Sequence, residues 1–575
     1  MKRFLCILFA LCAGLPLYAQ TTLLPQFFDN GNAGTEYYVT FLPAWPVAGG
    51  INSIKIYVFS TVETEVVVEV QAGVYFQKKK TKPNDIIEFV LPVTVAQPYF
   101  KTDRDPTPKE AIYKQKGVHI TANDPVIVYG MTRYQYSSDG FLALPVSALG
   151  TEYIIASSFD VGDNGTGFGQ YMPSEAGIVA AFDTTKVYFT LGGNPITTTP
   201  GGMKPGETKT FTLNKGDVLS LASFGQKADL SGSKVNSDKP VGVISGNFCA
   251  YIPNETTGYC DHLVEMELPT HTWGKEYIVP KIFGRKKNSV LKIMAKEPST
   301  KIFINGQHKN TIAKAGGLEG LGYIVRRPDE GSPASFVISA DKPICVTQFN
   351  SGQDDDGVAS DPFQFVLTPV DHFMKDITFT TPGIGDGSGF ANNYINLVFE
   401  LDENGEMPEG LEFGTINNGQ FVWETVARKF GSFFETLPTE INNKQYGVKT
   451  IKLPRDGVYR FRSPFSLAVY SYGFSDYDSY GYPAGASLAD LSGGVDTLPP
   501  VPSFVQMGNG NSRGGMVADM NEGWNSKLAS VRLLTSMSFN YTLSTEEFIP
   551  GEAESTSWLA TVVDKKQPAK AVITF

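Results

Sequence analysis

Short runs of alternating apolar and polar residues fill most of the chain. Residues 54–59 and 65–70 predict two strands joined by a turn, and residues 186–191 and 208–213 repeat this style. A period of two with many Val and Thr residues is typical of a half-buried pleated sheet. An apolar period of 3.6 residues is approached only at 521–534, where we expect at most a short helix. The pattern therefore predicts an all-β protein of antiparallel sheets.

Three sequence marks recur in the same order, roughly every 120 residues. The first is a strand opened by Gly-Thr-Glu-Tyr or Gly-Lys-Glu-Tyr, at 34–37, 150–153 and 274–277. The second is a turn with Asp and Pro that leads into a strand, at 123–126, 237–241 and 340–344. The third is an Asp followed by Leu-Pro or Leu-Thr-Pro, and it begins at Asp139, Asp261 and Asp361. A fourth, eroded copy begins near Asp376.

These marks divide the chain into units. We expect β repeats at 20–149, 150–273, 274–369 and 370–490, a Pro-rich linker at 491–503, and an Ig-like β-sandwich module at 504–575 that is either truncated or closes at the last residue. Each repeat has room for about seven or eight strands, which suits a two-layer antiparallel sandwich. A β-propeller-like arrangement of the repeats is the alternative.

The N-terminus has the layout of a secretory signal peptide. Lys2 and Arg3 precede an apolar stretch at 4–17, and Ala19 supplies a small residue for cleavage. We therefore predict a signal peptide at 1–19 and a secreted or bacterial cell-surface protein, with an uncleaved anchor as the alternative. No later stretch has the length of a transmembrane span. The net charge of −11 argues against nucleic acid as a partner.

The cysteines fit an exported protein. Cys249 and Cys260 flank a turn-like segment at 253–258, so we expect a disulfide between them. Cys345 lies in an apolar run, which indicates a buried free thiol.

The sequence offers no recognisable catalytic motif. The five His residues do not have zinc-protease spacing, and no nucleophile elbow is found, so we predict no enzyme and no catalytic residue. One mixed cluster contains Asp261, His262, Glu265 and His271. It is either a metal site or a repeat turn with incidental histidines.

We expect no cofactor, with calcium as the alternative, for which two acidic loops are candidates. One contains Asp160 and Asp163, and the other contains Asp354 and Asp356. Neither has a bidentate acid at a fixed offset, so solvated turns are the alternative.

A Tyr-rich stretch at 470–482 contains three candidate binding residues, Tyr477, Tyr480 and Tyr482. Aromatic side chains among Gly, Ser and Asp form protein or glycan contact surfaces. They also serve to plug a repeat against its neighbours, and we favour this second interpretation.

Three segments carry a family resemblance: 229–265, 138–153 and 479–485. Together they resemble the N-terminal domain family of the IgGFc-binding protein, in a bacterial member, over about residues 30–490. The module that follows looks like the Ig-like modules of bacterial surface proteins. The resemblance implies an extracellular binding scaffold, and Cys249 and Cys260 match its cysteine pattern. A shared fold does not transfer the Fc partner.

We therefore expect a non-enzymatic adhesion or binding scaffold that recognises an extracellular protein or glycan. A carbohydrate-active enzyme and a structural spacer of a larger surface protein are the alternatives.

Overall fold

The computed structural model describes residues 31–46, 50, 52–71, 73–98, 110–161, 171–314, 323–326 (backbone only), 334–383, 389–488 and, towards the C-terminus, 500–507, 511–519, 527–528, 530–535, 537–546, 548–549 and 553–575. The predicted signal peptide lies outside these residues. No helix in the described part of the chain is long and apolar enough to cross a membrane.

The described residues are mostly antiparallel strands arranged in four repeats. Repeat 1 contains β1 Gly34–Val39, β2 Asn52–Ser60, β3 Glu65–Val70, β4 Tyr75–Lys80, β5 Asp85–Leu91, α1 Val93–Ala96, β7 Val118–Tyr134 and β8 Ser137–Leu142. Between α1 and β7 the chain contributes β6 Ala111–Tyr113 to the sheet of repeat 2. Repeat 2 contains β9 Gly150–Ile154, β10 Ser174–Ala180, β11 Thr185–Thr190, β12 Thr208–Leu213, β13 Val218–Ala222, β14 Lys234–Ala250 and β15 Asp261–Met266.

Repeats 3 and 4 follow the same plan. Repeat 3 contains β16 Glu276–Val279, β17 Val290–Ala295, β18 Thr300–Ile304, β19 Gln307–Ile312, β20 Tyr323–Arg326, β21 Phe336–Ala340, β22 Ile344–Phe349 and β23 Gln364–Val366. Repeat 4 contains β24 Met374–Thr380, β25 Asn392–Glu400, β26 Glu412–Asn417, β27 Gln420–Thr425, α2 Val426–Phe430, β28 Glu435–Thr436, β29 Tyr446–Lys452, β30 Val458–Ser475 and β31 Asp478–Pro483.

In repeats 1, 2 and 4 one long strand crosses both layers of the sandwich, whereas in repeat 3 its two halves are the separate strands β21 and β22. The first half of β7 pairs with β1 and β3, and its second half pairs with β2 and β8. The strands β14 and β30 divide their partners in the same way. The proline of the second mark lies at this change of partners, where a bulge shifts the register and a missing N–H is tolerated. The second mark is therefore a bend within a strand in repeats 1 and 2, and not a turn before one.

The first and second marks meet at this bend. The Tyr153 hydroxyl accepts a hydrogen bond from the Gly150 N–H and donates one to the Val241 carbonyl, both at 2.7 Å. Tyr37 and Tyr277 make the same pair of bonds in repeats 1 and 3. A buried hydroxyl thus satisfies backbone groups that the bulge removes from the ladder.

The third mark closes the same joint and explains the glycine. A Cβ atom on Gly150 would lie 2.5 Å from the Cβ of Pro269, and Gly34 and Gly274 face Pro145 and Pro369 at similar distances. In repeat 4 the register places Met374 and Ile377 where the other repeats have Gly and Tyr. The eroded copy therefore lacks both the hydroxyl clamp and the close glycine–proline contact.

The repeats close into a ring. The short strand β8 packs against β15 and β31, and β23 packs against the same two strands. Hydrophobic clusters cross every boundary, including the one between repeats 1 and 4, where Tyr57 and Tyr129 share a core with Phe379 and Tyr459. The chain therefore forms sandwich-like repeats that are themselves arranged around a common centre.

The C-terminal module consists of two small antiparallel sheets. Its strands are β32 Val501–Pro502, β33 Val505–Met507, β34 Ser512–Ala518, β35 Arg532–Leu533, β36 Tyr541–Thr545, β37 Ser555–Val562 and β38 Ile573–Thr574. The module therefore begins inside the expected linker, because β32 pairs with β34. Within the expected short helix at 521–534, the described residues contain β35 and no helical turn.

Candidate functional site: the centre of the ring and its tyrosine face

The four short strands β8, β15, β23 and β31 meet at the centre of the ring. Their registers with the long strands make Gly140, Val264, Gln364 and Gly481 equivalent. Three residues before these positions lie Ser137, Asp261, Asp361 and Asp478, of which Asp361 precedes β23 and the others begin their strands. The sequence spacing aligns Asp139 with Asp261, but the registers place Asp139 two residues further along its strand.

The carboxylate of Asp139 bonds to all four repeats. Its Oδ1 accepts the N–H groups of Gly140 at 2.9 Å and Gly481 at 3.1 Å, and its Oδ2 accepts those of Val264 at 3.1 Å and Gln364 at 3.3 Å. These are the four equivalent amides of the ring. The side chain is fully buried, and burial raises the pKa of Asp139 while the four donors act in the opposite direction.

Two further carboxylates repeat this arrangement. Asp261 accepts the N–H groups of Ser138 at 2.8 Å, His262 at 2.7 Å and Ser479 at 3.1 Å; the equivalent position in repeat 3 is Pro362, which has no N–H. Glu265 accepts the amides of Met266 and Val366, both at 3.0 Å. The inner edges of the short strands would otherwise leave buried amides without acceptors, so these acids substitute for a sheet ladder.

The outermost acids of the centre are Asp361 and Asp478. Burial, followed by the charge of Asp478, raises the pKa of Asp361 to about 7. Burial raises the pKa of Asp478 to about 6 against the opposing effect of Arg133, which forms an ion pair with it. The pKa of Asp261 is raised well above its usual range by burial and then by its acidic neighbours.

Three exposed tyrosines cover this end of the centre. Tyr136, Tyr259 and Tyr477 are 51%, 40% and 48% exposed. The ring centroid of Tyr477 lies 6.3 Å from that of Tyr136 and 5.1 Å from that of Tyr259. Tyr136 and Tyr477 occupy the turns that lead into β8 and β31, and Tyr259 lies in the longer loop before β15. We call these three side chains the tyrosine face.

All three residues of the tyrosine face have a left-handed backbone. Their φ angles are 64°, 66° and 60° in chain order. Glycine or asparagine is usual in this conformation, and a bulky side chain there costs on the order of 1–3 kcal/mol. Three repeats thus place a strained, exposed tyrosine at the same end of the ring. Of the three, the sequence pattern singled out only Tyr477; a Tyr at a turn position that favours Gly or Asn was the available signal for the other two.

The predicted binding residues Tyr480 and Tyr482 lie elsewhere. Both are buried, and they pack on each other at 5.3 Å within the core shared by repeats 1 and 4. In this structure they support the ring from inside, and Tyr477 alone of the three sequence candidates reaches the surface.

The predicted disulfide is confirmed. Cys249 and Cys260 are bonded, with their Cα atoms 5.2 Å apart, and they close the loop that carries Tyr259. Cys345 is a buried free thiol, and burial raises its pKa well above the usual range.

The mixed cluster around His262 is dispersed. The buried His262 ring lies 3.0 Å from the Asn247 carbonyl through Nδ1, and burial lowers its pKa to about 4. Asp261 and Glu265 point instead to the backbone amides of the ring. Within the described residues, no group of three or more His, Cys, Asp or Glu side chains is placed to hold a metal ion.

Two of the calcium candidates, Asp160 and Asp356, have protein partners in the structure. Asp160 is buried and accepts the Met172 N–H at 3.2 Å, while Asp163 lies outside the described residues. Asp356 lies 2.9 Å from the Arg285 guanidinium. Asp354 is exposed beside Gly258. Calcium binding stays a prediction.

A cleft of about 570 Å³ lies between repeat 1 and the C-terminal module. It is lined by the carboxylates of Glu63, Glu65 and Asp124. Glu65 is paired with Lys78 at 2.6 Å, and Asp124 accepts the Thr535 hydroxyl at 2.9 Å. Neighbouring donors therefore engage Glu65 and Asp124. A carbohydrate-active enzyme instead needs two facing acids that are free to act on the substrate.

The comparison with known families identifies the chain's relatives. A family model described as IgGFc binding protein matches residues 139–473, which is more than half of the chain. The chain belongs to this family. The human IgGFc-binding protein is 31% identical over 257 residues, which cover 44% of this chain and only 4% of the human protein. The matched family range includes Tyr259 and excludes Tyr136 and Tyr477.

Proposed function

We propose that this protein is a secreted, non-enzymatic binding protein that contacts an extracellular protein through its tyrosine face. The exposed cluster of Tyr136, Tyr259 and Tyr477 carries the proposal. Tyrosine is enriched in interface cores because it combines a large apolar ring with a hydrogen-bonding hydroxyl. Family membership and the cysteine bridge support an extracellular binding role.

The strained backbone supports the same conclusion. Residues held at positive φ without a side chain suited to it cluster at functional sites, where the surrounding structure maintains them. Asparagine tolerates this conformation, so replacing each tyrosine by asparagine removes the ring without a backbone penalty. A side chain kept at a cost to stability is expected to serve a contact outside the fold.

The experiment compares the wild type with the triple variant Tyr136→Asn, Tyr259→Asn and Tyr477→Asn. The control is Tyr188→Thr, which removes a 38% exposed tyrosine from strand β11 of repeat 2. Each purified protein is screened by surface plasmon resonance against immobilised immunoglobulin Fc, mucins, other extracellular proteins and a glycan array.

We expect a protein partner that binds the wild type and the control, and whose affinity for the triple variant is at least about tenfold lower, since an interface tyrosine contributes on the order of 2 kcal/mol. Equal binding by the triple variant would place the contact elsewhere. Binding to glycans alone, or to nothing in the screen, would contradict the proposed protein partner.

A further inference from the structure

The surroundings of the tyrosine face are acidic. Asp354 lies against Gly258, next to Tyr259, and Asp476 precedes Tyr477; both aspartates are exposed. Among the described residues, no lysine or arginine forms an ion pair with either of them. The Tyr477 hydroxyl, burial and then the charge of Asp354 raise the pKa of Tyr259.

The layer beneath the tyrosines contains further carboxyl groups, but burial raises the pKa of Asp261, Asp361 and Asp478, so the negative charge of this face comes mainly from the exposed Asp354 and Asp476. Asp261 and Asp478 are the first residues of β15 and β31, and Asp361 lies three residues before β23. Arg133 is the cation in this layer, and it is engaged by Asp478, by the Ser138 hydroxyl at 2.8 Å and by the ring of Phe390 at 4.6 Å.

The nearby cation Arg285 is also engaged. Its guanidinium lies 2.9 Å from Asp356 and 3.9 Å from Asp355. Lys286 and Lys287 are engaged as well, Lys286 by the Asp356 carbonyl at 3.1 Å and Lys287 by the Asp355 carboxylate at 3.2 Å. These cations therefore do not neutralise Asp354 or Asp476. Two exposed carboxylates beside the tyrosine rings give this surface a negative potential.

We infer that the tyrosine face binds a cationic segment of its protein partner, in which arginine or lysine side chains lie against the rings of Tyr259 and Tyr477. This inference rests on the proposed function and names the chemistry of the partner. Aromatic rings attract guanidinium and ammonium groups through their π faces. Asp354 and Asp476 complete the recognition by charge, and the net charge of −11 favours a basic partner over an acidic one.

The test uses fluorescently labelled synthetic peptides of matched length, in which glycine alternates with arginine, lysine or glutamate. Their dissociation constants with the full-length mature chain are measured by anisotropy at low and physiological salt. We expect the arginine peptide to bind most tightly, the glutamate peptide to show no binding, and affinity to fall with salt.

Variants locate the site. The double variant Asp354→Asn and Asp476→Asn should weaken arginine-peptide binding about tenfold, and the tyrosine triple variant at least as much. The control removes the same charge elsewhere, through Asp402→Asn and Glu403→Gln. Asp402 and Glu403 follow Glu400, the last residue of β25. The first residue of β25, Asn392, pairs with Phe474 near Tyr477, so the control substitutions lie at the far end of this strand from the tyrosine face. The control should bind like the wild type.

Two results would overturn the inference: equal loss of binding in the control, which would indicate attraction to net charge, or equal binding of basic and acidic peptides. The proposed function is tested separately. If a screened partner requires the tyrosines while no basic peptide binds, the tyrosine face remains the contact surface and only its cationic specificity fails.

Discussion

Replacing Asp139 by asparagine tests whether a buried carboxylate holds the four repeats together. The substitution keeps the size of the side chain and changes only its hydrogen bonding. The carbonyl oxygen of asparagine can still accept two of the four amides, but its NH₂ group then faces the other two donors. Two buried N–H groups, each from an inner strand of the ring, are left without an acceptor.

The expected loss in the free energy of unfolding follows from these two lost hydrogen bonds. A buried donor without a partner costs about 1–3 kcal/mol, so the loss lies at about 2–6 kcal/mol. Removing the charge relieves the desolvation that raises the pKa of Asp139, which offsets part of this loss. We therefore expect Asp139→Asn to lower the free energy of unfolding by about 2–4 kcal/mol, and Asp139→Ala by more, because alanine leaves all four amides without acceptors.

The assay is urea unfolding followed by tyrosine and tryptophan fluorescence, together with native-state hydrogen exchange. The amides of Val264, Gln364 and Gly481 should exchange faster in the variant. Asp402→Asn is the matched control, since Asp402 accepts two amides through a single oxygen, both at 2.9 Å, and asparagine preserves that oxygen. If Asp139→Asn is as stable as the wild type, or if the control loses as much, the carboxylate does not connect the repeats.

Three other predictions concern the joint, the clip and the acidic layer. Tyr153→Phe removes the hydroxyl that bonds to Gly150 and Val241 at 2.7 Å, and urea unfolding should show a loss of about 1–3 kcal/mol. Replacing Cys249 and Cys260 by serine should cost about 2–3 kcal/mol, the value for a loop of this length, measured as a lower unfolding midpoint. Asp361 has a folded pKa of about 7, above its unfolded value, so it binds more protons when folded and its contribution to stability is lost as pH rises from about 4 to about 7. Asp361→Asn should therefore gain stability relative to the wild type across this window, by at most about 4 kcal/mol, in unfolding curves recorded at each pH.

Each of these has a result that would contradict it. For the joint, Tyr188→Phe on the surface should change stability by less than about 0.5 kcal/mol. If Tyr153→Phe changes stability no more than Tyr188→Phe does, the Tyr153 hydroxyl does not stabilise the joint. For the clip, reduced wild-type protein should match the double serine variant, and unchanged stability on reduction would remove its role. For the acidic layer, a stability difference that is flat with pH, or that falls as pH rises, would show that Asp361 is not held protonated by its surroundings.

Local chemistry explains why much of the fold was predictable. Alternation with period two depends only on neighbouring residues, so residues 54–59 and 65–70 were assigned to the strands β2 and β3. The clip between Cys249 and Cys260 joins residues eleven positions apart, which is close enough in sequence to be visible. The fourth repeat is eroded at its first mark, but Pro464 and the apolar run at 467–470 that follows it in β30 are retained.

The sequence by itself determined the strands, the repeat and the cysteine clip, because each depends on a period or a short spacing. Only the tertiary structure decided what the recurring acids and tyrosines do. Asp139 was aligned with Asp261 by spacing, but the strand registers shift it by two residues and place its carboxylate among the amides of all four repeats. Tyr136, Tyr259 and Tyr477 come from three distant hairpins and meet only because the ring closes. Register and ring closure depend on contacts between residues far apart in the chain, and a local sequence pattern contains no information about such contacts.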